Sequence, residues 1–371
     1  MSIEQLSIIG LASLVSISCS LCGVYLVLRR LALISDAISH SILLGIVCSF
    51  FIVHDLNSPL LILGATLTGV LMVYLTEILV ASKRLKKDAS IGLIFPLFFS
   101  ISVLLINLFA ADIHLDQDSV LLGEIAFTPF RLLTIWGYNL GPASLWVMGG
   151  ILVLNVVFVS VFYKELKLTT FDRGLAAMLG FFPTYLHYAF MAMVSITAVG
   201  AFESVGVILV VALMIVPPAS AYLLTNRLFP MMILSIVFGL ASSLLGYGMA
   251  FYLNVSIAGS MAVMTGILFL LVFLFSPSQG LIMKFLTFQK QRVLFSTNML
   301  LIQLLEHEGT KTEKTENTVS NLIVHMKWTF KFANSIVSYA LEQGFIQRHN
   351  DRLLLTSFGR EKAKRVIVMD A

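Results

Sequence analysis

The sequence predicts an all-α polytopic membrane protein of about nine transmembrane helices, followed by a small cytosolic winged helix-turn-helix (α+β) domain. Three observations carry this. The chain is 58% hydrophobic and only 12% charged, whereas a soluble domain carries about 25% charged residues. The charges are unevenly placed: residues 1–283 hold 11 Lys+Arg and 12 Asp+Glu, while residues 284–371 hold 13 and 8. The first part also breaks into apolar runs of about twenty residues, the length that crosses a bilayer. Residues 1–283 are therefore read as a membrane domain and residues 284–371 as a soluble one, with net charges of −1 and +5. A surplus of +5 suits anionic lipid or nucleic acid without choosing between them.

The spans fall at roughly 8–28, 33–53, 59–80, 91–111, 144–163, 184–202, 205–225, 231–252 and 257–276. The opening MSIEQLS has an acidic residue and no basic one, so the first run reads as a span rather than a cleaved signal. Arg29 and Arg30 follow the first span, Lys83, Arg84, Lys86 and Lys87 the third, Lys164, Lys167 and Arg173 the fifth, and Arg227 the seventh. The opposite loops contain only Arg131. The positive-inside rule makes the basic loops cytoplasmic, with the N-terminus outside and the C-terminus inside. The connection Asp112–Ala143 is long and semi-apolar, consistent with a re-entrant or interfacial piece. Pro217 and Pro218 lie inside the seventh span, where proline breaks the backbone ladder and bends a helix. Such a break could line a transport pathway or be ordinary membrane-helix proline.

The tail reads as helices and a hairpin. Phe295–Glu308 is amphipathic, with Ser296 as a cap, and Gly309–Asn317 is a polar loop. Val319–Met326 and Phe330–Gln343 have helical spacing, the second stopped by Gly344. Phe345–Gln347 and Leu353–Thr356 form a hairpin about the turn His349-Asn350-Asp351, and Gly359–Val368 returns to helix.

Asp36 and His40 carry the chemistry. They stand four residues apart in the apolar segment Leu31–Ser49, so they share one helix face. Ionisable groups inside a span are costly and usually face a cavity, a partner or an ion. A carboxylate oxygen with an imidazole nitrogen suits Mn²⁺, Fe²⁺ or Zn²⁺. A structural pair tying two helices is the alternative. Ser35 and Ser39 are neighbouring hydroxyls that could help. Asp112, His114, Asp116 and Asp118 alternate in an external loop, either gathering cations or simply solvated. Glu77 and Glu203 lie in or at spans, His187 at an interface, and His54 with Asp55 in a loop. Cys19 and Cys22 have C-x-x-C spacing but no ligand cluster, so with Cys48 they read as small buried residues. In the cytoplasmic loop 164–180, Asp172 can cap a short amphipathic helix, Arg173–Leu179, ended by Gly180. That helix could dock a protein or lie on lipid. No hydrolytic engine is visible: Gly309-Thr310-Lys311-Thr312 lacks the phosphate-binding glycine loop, so the chain is not itself an enzyme.

These residues resemble a known family. Arg29-Arg30-Leu31-Ala32-Leu33-Ile34 through Asp36-Ala37-Ile38-Ser39-His40 is similar to the "RR-x-AL-x-x-DA-x-SH" signature of zinc/manganese/iron ABC transporter permeases, the ABC-3 family. Asp88 with Ile91-Gly92 resembles its "D-x-x-IG" segment, and Phe171-Asp172, Ala176 and Leu179-Gly180 its coupling segment. Val216-Pro217, Ala219 and Ala221 resemble its "vPaatA" helix, with Pro218 a departure from the usual alanine. The resemblance implies a permease dimer, homo- or heteromeric, with a cytosolic ATPase on each coupling segment. It also implies an external metal-binding lipoprotein, and it maps the pathway ligands onto Asp36 and His40. The segment Leu355–Ala363 resembles the "LT-x-x-G-x-x-x-A" of diphtheria-toxin-repressor-type winged helices, although the chain stops before their metal-sensing region.

The reading is the permease subunit of a divalent-metal (Mn, Zn or Fe) importer in the cytoplasmic (inner) membrane of a bacterium. It is powered by a separate ATPase and holds no permanent cofactor. Residues 285–371 could take DNA or protein as partner. The alternatives are a membrane-anchored transcription regulator and an ion-gradient-driven carrier.

Overall fold

The computed structural model describes residues 3–54, 58–109, 125–130, 132–135, 138–277, 279–310 and 313–369. The chain divides into two compact units, Met1–Gly280 and Leu281–Ala371. The loop residues Asp112, His114, Asp116 and Asp118 lie outside the described residues.

The first unit is a helix bundle, because oil offers the backbone no water and each apolar run must satisfy its own N–H and C=O groups. It opens with α1 (Ile3–Leu28), α2 (Ala32–Val53), α3 (Pro59–Ala81) and α4 (Lys87–Phe109). A 3-10 helix, Ile125–Phe130, and the antiparallel strands β1 (Leu132–Ile135) and β2 (Tyr138–Pro142) follow. Then come α5 (Ala143–Val161), α6 (Tyr163–Phe171), α7 (Arg173–Met178), α8 (Pro183–Val205), α9 (Val207–Tyr222), α10 (Leu228–Leu253) and α11 (Ile257–Phe275). α1 packs on α5, α9 and α10, while α2 packs on α3, α4 and α8. α1 and α8 are the most enclosed helices; α4, α5 and α11 lie at the rim. The rim exposes Leu93, Leu97, Leu104, Val153, Val157, Leu270 and Leu271. An apolar surface of that kind requires lipid around it.

Two expectations need correction. Nine spans were expected, but eight helices among the described residues are long and apolar enough to cross. The remaining one, α9, has 16 residues, about 24 Å of helix against a hydrocarbon layer of about 30 Å. The reason is local: α8 runs on to Val205, and only Gly206 separates it from α9. Nor do Pro217 and Pro218 interrupt α9, which continues through them to Tyr222. The two prolines leave the carbonyls of Leu213 and Met214 without their usual donors. Met214 O and the Pro218 ring lie against Gly23 of α1, so closely that any Cβ at Gly23 would collide with both. Glycine at that position is what lets α1 and α9 meet.

The C-terminal ends of several helices gather on one face. Ser276 Oγ, just after α11, donates 2.6 Å to the Leu223 carbonyl just after α9. Arg29, just after α1, reaches the end of α6.

The second unit contains α12 (Leu281–His307), the single turn α13 (Glu313–Glu316), α14 (Val319–His325) and α15 (Phe330–Glu342). Strands β3 (Ile346–His349) and β4 (Arg352–Leu355) form an antiparallel hairpin, and α16 (Ser357–Met369) closes the unit. Its core is Leu300, Leu301, Leu304, Leu322, Ile336, Val337, Leu353 and Ala363. The hairpin turns through Asn350 at φ 56°, a conformation asparagine tolerates. Ser296 is not a cap: it is buried midway along α12, which starts at Leu281. Nothing between Leu281 and Glu308 is glycine or proline, so helix formers such as Lys284, Gln289, Lys290 and Arg292 extend the helix backwards.

Gly23→Val should destabilise the first unit by about 1–3 kcal/mol through overpacking. Gly92→Ala should not, since an added Cβ there meets nothing within 4 Å. Thermal unfolding of the detergent-purified chain measures both.

Candidate functional site

α2 brings Asp36 and His40 to one face, with His40 Nε2 3.6 Å from Asp36 Oδ1. That exceeds a hydrogen bond, so the two groups do not consume each other. Two ligands holding one ion at about 2.1 Å each are 3.6 Å apart when the angle at the ion is about 118°, which is near-tetrahedral. The imidazole is walled by α4, its centroid 5.8 Å from that of Phe95 and 6.0 Å from that of Phe99. Both side chains remain partly open, at 32% for His40 and 43% for Asp36. Ser35 and Ser39 do not join them: both are buried and donate to the Ala32 and Ser35 carbonyls. Among the described residues no three His, Cys, Asp or Glu side chains form a metal-holding group.

The loop after α5 carries more structure than its sequence suggested. α6 precedes Asp172, and Asp172 Oδ1 accepts from Leu175 N–H at 2.9 Å to cap α7. The helix closes with Gly180 at φ +83° and Phe181 N–H donating to Ala176 O at 3.1 Å. Glycine pays no Cβ penalty in that left-handed position. Ala176 is fully buried, while Phe171, Leu175, Met178, Leu179 and Phe182 are exposed together. An apolar patch on a basic loop is the sort of surface that docks a partner.

Arg29 joins this loop to the start of α2. Its Nε donates to Thr170 Oγ1 at 3.0 Å and its Nη2 to Thr169 Oγ1 at 3.1 Å. The guanidinium also lies 5.1 Å from the Phe190 ring centroid on α8. Burial, aided by nearby Arg173, pulls its pKa down to about 10, so it stays cationic at neutral pH.

A second polar group was not paired by sequence reasoning. Glu77 near the end of α3 meets two residues near the start of α8. Its Oε1 is 2.8 Å from His187 Nε2, and its Oε2 accepts from Tyr188 O–H at 2.6 Å. His187 is 5% exposed, and while its Nε2 faces Glu77, its Nδ1 has no hydrogen-bond partner among the described residues. One sequence cue was available: both residues stand one turn inside the same end of their spans.

With this geometry in view, the comparison with known proteins is decisive. Residues 5–276 match the ABC 3 transport family. The chain belongs to that family. ABC 3 membership makes it a multi-pass transport permease of the bacterial cytoplasmic membrane and not an enzyme. It is 42% identical over 354 residues to the zinc transport system membrane protein TroD of Treponema pallidum, covering 95% of this chain and 96% of that one. It is 46% identical over 288 residues to the manganese transport system membrane protein MntD of Bacillus subtilis, covering 77% of this chain and 97% of that one. A solved structure of PsaBC from Streptococcus pneumoniae in complex with Fab is also similar. It has a TM-score of 0.63 and 28% identity, covering 75% of this chain and 94% of that one. The similarity to TroD thus takes in the tail, whereas MntD is matched almost whole without all of it.

Replacing Asp172 with Ala should remove the cap and cost α7 about 1 kcal/mol, while Asp172→Asn should keep most of it. Faster amide hydrogen exchange at Leu175 in Asp172→Ala alone is the expected result.

Proposed function

We propose that this ABC 3 permease carries a divalent transition-metal cation (Mn, Zn or Fe) into the cytoplasm, with Asp36 and His40 as its ligands. The observation that supports this most directly is the 3.6 Å separation of the carboxylate and imidazole on an apolar helix, open on one side. A carboxylate in a span is expensive unless something neutralises it, and a passing cation does so. Two protein ligands are too few to trap an ion for good. Water, or a second permease subunit bringing its own α2, completes the shell.

The chain has no nucleotide-binding motif, so the energy comes from a cytosolic ABC ATPase subunit. Its seat is the exposed apolar patch around Phe171, Asp172, Ala176, Leu179 and Gly180. An external metal-binding lipoprotein delivers the ion on the opposite face. The face that gathers the ends of α1, α6, α9 and α11 also carries Arg29, Arg30, Arg173 and Arg227. By the positive-inside rule it is cytoplasmic, and with the short helix α9 counted as a ninth crossing the C-terminus is inside. Apart from the single turn α13, the order α12, α14, α15, hairpin and α16 supports a winged-helix reading of residues 284–371. The helix before the hairpin, α15, has one lysine, Lys331, and one glutamate, Glu342. That is no basic stripe of the kind DNA recognition needs, so a protein-interaction or regulatory role is preferred. Neither the transcription-regulator alternative nor a gradient-driven carrier gains an observation in its favour.

Asp36→Ala and His40→Ala should each reduce uptake of labelled Mn²⁺ or Zn²⁺ to background while membrane insertion stays normal. Normal uptake by both variants would refute the ligand assignment. Deleting residues 281–371 should leave uptake measurable, within about threefold of the full chain, because MntD lacks most of that tail.

A further inference from the structure

We propose that Glu77 and His187 form a second divalent-cation site, towards the Arg29 end of the bundle, where the ion pauses after leaving Asp36 and His40. This rests on the transport reading above and adds a step to it.

The levels of the two sites follow from packing. Gly69 of α3 lies against Ile38 of α2 and Ser195 of α8, so these three residues mark one layer. From that layer, Glu77 lies eight residues along α3 and His187 eight residues back along α8, both towards the Arg29 end. Eight residues of helix rise about 12 Å, and the two residues from Ile38 to Asp36 rise about 3 Å. The Glu77–His187 pair therefore sits about 9 Å beyond Asp36, one step further along the same direction.

The donor set repeats that of the first site, a carboxylate oxygen and an imidazole nitrogen, now supplied by two helices. The 2.8 Å between Glu77 Oε1 and His187 Nε2 is close to the spacing of neighbouring ligands on a six-coordinate ion, about 3.0 Å for bonds of about 2.1 Å. It is also the distance of a good hydrogen bond, so without an ion the imidazole and carboxylate hold each other in place. A buried histidine that served only to tie α3 to α8 would align one ring nitrogen with the carboxylate and satisfy the other. Here Nδ1 is buried with no partner among the described residues. Tyr188 instead steadies Glu77 by holding its other oxygen, and is itself packed against Tyr74 with ring centroids 6.3 Å apart. Glu77 is 36% exposed, which leaves room for solvent ligands. The imidazole selects against Ca²⁺ and Mg²⁺ and suits Mn²⁺, Fe²⁺ or Zn²⁺. Two cations act on Glu77 from neighbouring elements, Lys87 of α4 and Arg173 of α7. Their repulsion keeps the dwell short, and Arg173 belongs to the helix that meets the ATPase, so its displacement changes how strongly the ion is held.

The test uses the purified full chain carrying Asp36→Ala and His40→Ala, with Mn²⁺ as the probe. Equilibrium dialysis should find one Mn²⁺ retained per chain, and electron spin-echo modulation should show coupling to one imidazole nitrogen. Adding Glu77→Gln or His187→Gln should weaken binding at least about tenfold and, for His187→Gln, abolish the nitrogen signal. Tyr188→Phe should weaken it less than about threefold. Absence of Mn²⁺ binding or of nitrogen coupling in the double-alanine chain would overturn the proposal, and the nitrogen signal needs no further variant to fold. Undiminished binding after Glu77→Gln would overturn it equally. Failure of the transport reading is separately visible, as continued uptake by the double-alanine chain.

Discussion

A carboxylate on an apolar helix is costly to leave without a partner, and the proposed role of this permease turns on how Asp36 is met. Asp36 does not find a permanent counter-charge in His40, which stands too far for a hydrogen bond and too near to be ignored. The imidazole cannot swing away freely, because Phe95 and Phe99 wall it on the α4 side. The pair is thus left open rather than satisfied, as the proposed ligand role requires. The surrounding helices supply the rigidity: α2 packs between α3, α4 and α8, and its serines turn their hydroxyls back onto their own backbone.

The loop after α5 solves a different problem. It holds an apolar surface outward without collapsing onto the bundle. Burial of Ala176 anchors α7 from beneath, the Asp172 cap fixes its start, and Gly180 turns the chain back towards α8. The exposed side chains of Phe171, Leu175, Met178 and Leu179 are thereby held on a short, fully specified helix.

Much of this was legible in the sequence because hydrophobic run length and cap chemistry are local signals. The apolar runs became helices near their expected bounds, the Asp172–Gly180 helix formed with its expected cap, and the hairpin turned about Asn350. Features that depend on which faces meet were not legible. Glu77 and His187 are 110 residues apart with no periodic partner, so only the packing of α3 on α8 reveals the pair. The shortness of α9 was hidden because Glu203-Ser204 reads as the break between two spans, whereas α8 runs through both to Val205 and the chain divides at Gly206. α6 is not legible because its lysines and threonines read as polar loop, and the start of α12 is not because Ser296 reads as a cap although it lies mid-helix.

The Arg29 side chain has a mechanical meaning. It grips two adjacent threonine hydroxyls at the end of α6 while its own backbone forms the bend from which α2 departs. Asp36 is only seven residues beyond that bend. A movement of the α6–α7 elbow is thus passed to the root of α2 through one guanidinium, which serves as the connecting rod.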